Sequence, residues 1–172
     1  MNANIGTRRP PRRRTPPILS IAVATTLVTL LLMQVPVYDF YPGGGYVTPE
    51  WALALHLGTV LPAVPLGAYL LWRKKGGALH RRLGGVWFGM VTITAVVTFW
   101  MRGAGGGFSG IHLFSLATLI ALAISFWRIR AKDVHSHQII MISLYIGLII
   151  AGGFALAPGR AVGDFLSGLL AV

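Results

Sequence analysis

Long, mostly apolar runs alternate along this chain with short clusters of arginine and lysine. The runs cover residues 18–37, 50–72, 83–101, 109–127 and 137–156. At 1.5 Å per helical residue, each can cross a hydrocarbon core of about 30 Å. The pattern predicts an all-α integral membrane bundle of five transmembrane helices. Pro49 suits the start of the second helix and Ser109 is a candidate N-cap for the fourth. Pro62 and Pro65 lie inside the second, where each removes a backbone donor and bends the helix. The chain divides into a basic, proline-rich tail (1–17) predicted to be disordered, a first membrane helix (18–37), a four-helix membrane core (50–160) and a C-terminal tail (161–172), in which 163–172 can form a short interfacial helix. The paired arginines of the tail resemble an export signal, but 18–37 is long for a signal core and lacks a small-residue cleavage site, so it reads as an uncleaved span.

Charge sets the orientation. Of the 15 Lys and Arg residues, 13 fall within 8–14, 73–82 and 128–132. Basic loops stay in the cytoplasm, so the N-terminus is expected inside and the protein in a bacterial inner (plasma) membrane. The 38–49 loop, the glycine-rich 103–108 loop and the C-terminus are then outside. Trp51, Trp72, Trp87, Trp100 and Trp127 lie mostly near helix ends, where aromatic belts form. With 55% hydrophobic and 11% charged residues, the chain has too little polar surface for a soluble domain. Its net charge of +11 marks topology and attracts anionic headgroups; a nucleic-acid partner is excluded.

Composition also narrows the chemistry. The absence of cysteine removes disulfides, thiolate metal sites and Cys-held iron–sulfur clusters. Asp39, Glu50, Asp133 and Asp164 are the only carboxylates, too few for a two-carboxylate hydrolase or an oxygen cage for calcium. No Ser–His–Asp pattern is visible. The Gly43–Gly45 and Gly105–Gly107 runs lack the strand and helix context of phosphate loops.

The core contains a repeat. His56-Leu57 opens one unit and His112-Leu113 the other; Trp72-Arg73 and Trp127-Arg128 close their first helices; His80 and His135 or His137 follow in the basic segments. Two repeated hairpins predict approximate two-fold symmetry about the membrane normal. Histidines inside spans are rare and usually functional. His56 and His112 fall towards the outer ends of the second and fourth helices, His80 and His137 at the inner ends of the third and fifth. Facing pairs of this kind can supply both axial nitrogens of a b-type haem. At helical spacing His56 aligns with Val60, Ala63 and Gly67; His80 with Gly84, Trp87, Val91, Thr94 and Thr98; and His137 with Met141 and Tyr145. His135-Ser136-His137 offers two metal ligands, too few for a site alone.

The motifs His56-Leu57-Gly58, Gly67, His80-Arg81-Arg82-Leu83-Gly84, Gly110-Ile111-His112, His137 with Met141, and Gly159-Arg160 resemble an uncharacterised family of bacterial multi-pass membrane proteins, domain of unknown function 2306. More remotely, the arrangement is similar to the ascorbate-reducible di-haem transmembrane cytochromes b, which place ligand pairs on alternate helices of a four-helix core. The expectation is a membrane electron carrier holding one or two haems b. His56 and His112 would ligate an outer haem, with Arg102 near its propionates. His80 and His137 would ligate an inner one, with Arg81 and Arg82 near its propionates and His135 as substitute. A quinone, another redox protein or a larger membrane complex would be the partner. The alternatives are a cofactor-free accessory or structural subunit and a transporter or channel for a small solute.

Overall fold

The computed structural model describes residues 23–27, 29, 48–102, 108–155 and 168. Four long helices dominate: α1 (Glu50–Trp72), α2 (Ala78–Val97), α3 (Gly110–Arg130) and α4 (Val134–Ala155), with a 3₁₀ turn at Thr98–Trp100 extending α2. All four are long and apolar enough to cross a membrane, and no strand occurs among the described residues. The chain is a helical membrane bundle. Val23–Leu27 and Thr29 of the expected first helix are helical, and Thr29 is buried. The tail 1–17, the 38–47 segment, the 103–107 glycines and the C-terminal segment apart from Gly168 lie outside the described residues.

The helices form a ring in which α1 packs on α2, α2 on α3, α3 on α4 and α4 on α1. α1 therefore faces α3 across a diagonal, and α2 faces α4. Both basic hairpins, α1–α2 and α3–α4, lie at one end of the bundle, here the basic end. α2, α3 and α4 each extend beyond the runs that hydropathy marks, by several residues and chiefly at the basic end. Arg, Lys and His are competent helix residues, so the helices continue past the apolar slab.

The α3–α4 turn explains how a hairpin this tight closes. Lys132 is left-handed at φ 62°; its amide donates to Ile129 O at 3.1 Å and that of Asp133 to Arg128 O at 2.9 Å. This double bond is a Schellman ending. Asp133 then starts α4, its Oδ1 accepting from the Ser136 amide at 3.1 Å.

Outside, the bundle is greasy: Leu61, Leu116, Ile120 and Ile149 are exposed, as lipid-facing residues are. Inside, Ala63, Leu70, Trp87, Val91, Leu122, Leu144 and Leu148 form the apolar core. Trp87, placed among the belt residues by sequence, is instead buried and donates its indole N–H to Ala63 O at 2.9 Å. The other four do mark the two ends, Trp51 against Trp100 at one and the highly exposed Trp72 and Trp127 at the other.

Gly67 makes this packing possible. A Cβ there would lie 2.6 Å from both Trp87 Nε1 and Tyr145 Cδ2. Two rigid rings cannot retreat together, and overpacking of this kind costs about 1–3 kcal/mol. Gly67→Ala is expected to lower the thermal midpoint of the detergent-purified protein. Gly58→Ala, whose new methyl meets nothing within 4 Å, should leave it unchanged or raised.

Candidate functional site

Polar side chains run down the interior of the bundle. Thr59, Thr94, Thr98, His112, Ser115, Thr118 and Ser125 are all buried. In a bilayer a buried hydroxyl needs a partner inside the protein. Thr59 and Thr94 share a hydrogen bond at 2.7 Å that ties α1 to α2. Thr94 Oγ1 and Thr98 Oγ1 also donate to the Met90 and Thr94 carbonyls, at 2.9 and 2.8 Å. Sequence reasoning passed over this polar seam. Its signal was present in the three- and four-residue spacing of Thr94 and Thr98 on α2, and of Ser115, Thr118, Leu122 and Ser125 on α3.

The histidines meet this seam in different ways. His56 Nδ1 lies 3.5 Å from Thr98 Oγ1, and the ring is also close to the Thr94 backbone. The Thr98 proton is already given to Thr94 O, so these partners assign the proton to His56 Nδ1 and leave the lone pair on Nε2. His112 is the reverse. As the third residue of α3 it closes a capping box, its Nδ1 accepting from the Ser109 amide at 3.0 Å. Its proton therefore sits on Nε2, which is buried without a partner. The ring is wedged between Phe108 and Phe99, with centroids 4.9 and 5.9 Å away.

At the basic end, His137 Nδ1 lies 2.7 Å from Ser125 Oγ, and the ring is also close to the Ser125 backbone. With Nδ1 donating to Ser125 Oγ, the lone pair of His137 falls on Nε2. His80, on the diagonal helix, is close enough to interact electrostatically with His137. Its own Nδ1 is buried with no partner. His135, the expected substitute ligand, is exposed.

His80 and His137 thus lie within electrostatic range of each other at the basic end. His56 and His112 border separate cavities. His56 lines a cavity of about 290 Å³ walled by all four helices. His112 borders another of about 290 Å³, lined by Phe99, Phe108, Leu113 and Leu116. Arg81 and Arg82 are exposed beside the His80–His137 pair, Arg81 donating to Gly76 O at 2.8 Å. Arg102 lies over the Phe108 ring at the opposite end, 5.7 Å from its centroid. No cluster of three or more His, Asp or Glu able to hold a metal occurs among the described residues.

These features define a polytopic helical membrane protein with a polar interior and histidines at two depths. Residues 53–164, well over half the chain, match the family described as predicted membrane protein (DUF2306). The chain belongs to that family. No curated protein and no solved structure matches it.

The hairpin that presents His137 depends on Asp133. The Ser136 hydroxyl first, and the Ser136 amide second, hold its carboxyl below the usual carboxylate range, with Arg128 and His135 adding to the effect. A group with a lowered folded pKa stabilises above its unfolded value, and that contribution is lost as pH falls through the folded one. The amides at the start of α4 should therefore lose hydrogen-exchange protection as pH drops below about 4. Asp133→Asn should remove that dependence.

Proposed function

We propose that the bundle holds a b-type haem between His80 and His137 and carries electrons within the membrane. The observation that carries this reading is that these two histidines, on diagonal helices at one end of the bundle, lie within electrostatic range of each other. Ser125 fixes the His137 ring with Nε2 free to ligate, the arrangement usual for metal-bound histidine. The unpartnered buried nitrogen of His80 supports a ligand on the opposite side. Arg81 and Arg82 stand where propionates would meet cations. Bound there, haem would supply one-electron chemistry; the chain would supply two ring nitrogens, one of them oriented by Ser125. His56 and His112 are not assigned a second haem, because one offers a lone pair and the other an N–H, in different cavities. The same reading puts the basic loops at the cytoplasmic face of the inner membrane by the positive-inside rule.

The test is an absorption spectrum of detergent-purified protein, oxidised and dithionite-reduced, after expression with excess haem precursor. A Soret band is expected, lost in His80→Ala and in His137→Ala and retained in His135→Ala. Ser125→Ala should weaken haem affinity by about 10–100-fold. Wild-type protein without a Soret band overturns the proposal. In that case, co-purification with a fixed partner points to an accessory subunit.

A further inference from the structure

The cavity beside His56 has features that the haem at the other end does not use. All four helices contribute to its walls, which are mostly apolar: Val60 and Val64 of α1, Val91 of α2, Phe114 of α3, and Leu144 and Leu148 of α4. It also reaches Leu61 on α1 and Ile149 on α4, two residues exposed on the lipid side. A molecule dissolved in the membrane can therefore enter between α1 and α4. At the α4 wall, Gly152 has no atom within 4 Å of where a Cβ would stand, so the entrance is open on that side.

Two kinds of polar atom face this space from opposite helices. On α1, His56 lines the cavity, and with Nδ1 committed to Thr98 its lone pair is on Nε2. On α3, Ser115 and Thr118 are 4% and 7% exposed. Both line the cavity, and their hydroxyls have no hydrogen-bond partner among the described residues. Hydroxyls that open onto an apolar cavity without a partner are costly in hydrocarbon, so a ligand that accepts from them and donates to His56 gains on both sides. About 290 Å³ lies at the small end of ligand pockets and suits a ring head with its tail left in the lipid.

We propose that this cavity binds a membrane-soluble hydroquinone, an aromatic ring with oxygens on opposite edges. One hydroxyl donates to His56 Nε2. The oxygen across the ring accepts from Ser115 or Thr118, and the alkyl tail leaves between Leu61 and Ile149. This holds whether or not haem is bound at the basic end.

The test titrates the full-length protein in lipid nanodiscs with decyl-hydroquinone and, separately, with decylbenzene, which keeps the ring and tail but has no oxygens. The hydroquinone is expected to raise the thermal midpoint saturably, and decylbenzene is not. The apparent affinity should fall about tenfold or more in the Ser115→Ala/Thr118→Val double variant and in Gly152→Leu, which fills the entrance. The double variant removes no packing atoms of consequence, so it decides the matter if Gly152→Leu fails to fold. Equal shifts from both compounds would mean that an acyl chain occupies the cavity and would overturn the proposal. So would an undiminished shift in the double variant. A Soret band read on the same samples keeps this result separate from the haem assignment.

Discussion

A polar group inside a bilayer has no water to fall back on, and this constraint organises the bundle. The protein buries its small hydroxyls beside a leucine-containing core and turns further leucines and isoleucines out to the lipid, where a soluble fold would place polar side chains. Hydroxyls return their protons to the preceding turn, as Thr92 does to Phe88. Where two helices meet, the bond crosses, as between Thr59 and Thr94. Trp87 follows the same rule with a large ring, and needs a glycine opposite to reach the Ala63 carbonyl. Interhelical bonds of this kind are worth only about 0.6 kcal/mol on average. Their larger effect is to fix register, because a helix that slipped would strand each of them.

That rule also explains why four chemically identical imidazoles end up in unlike states. Each ring takes the tautomer that its nearest fixed partner demands. A hydroxyl already committed elsewhere draws the proton to Nδ1, as Thr98 does at His56. A free amide at a helix N-terminus repels it, as at His112. The repeat in sequence places His56 and His112 at comparable points of their hairpins, yet one lies six residues inside its helix and the other in the first turn. One turn of displacement is enough to exchange a neighbouring helix for a helix cap, and so to exchange a base for a donor.

Much of the fold was legible because hydropathy and charge act over whole segments. The four core spans, the Ser109 cap and the faces that align with His80 and His137 need only a period and a handful of basic residues. The 80–84–87–91–94–98 face of α2 is buried at Trp87, Val91, Thr94 and Thr98, as spacing implied. Helix ends were less legible. Lys132 in a left-handed turn and Asp133 as a cap are local hydrogen-bonding events, and hydropathy does not register them. Trp87 was misjudged because belt and core tryptophans share one composition; only the glycine across the interface distinguishes them. The candidate site was legible in its histidines and not in its hydroxyls. Ser and Thr contribute little to hydropathy, so their alignment shows only once the helices have a partner.

The layer formed by Trp87, Gly67 and Tyr145 has a consequence for both proposed sites. Along α1 it falls eleven residues beyond His56, and along α2 seven residues beyond His80, or about 16 and 10 Å of helix. It therefore divides the interior into a cavity half and a basic-end half. Rings packed this closely pass little strain by small adjustments, because a filled core yields in discrete steps or not at all. The two halves share no side-chain hydrogen bond among those of His56, Ser125 and His137. Changes at Ser115 or Thr118 should then add to changes at His80 or His137, as independent sites do. A variant of the layer itself, at Gly67, is the one substitution expected to disturb both halves, since it moves the wall they have in common.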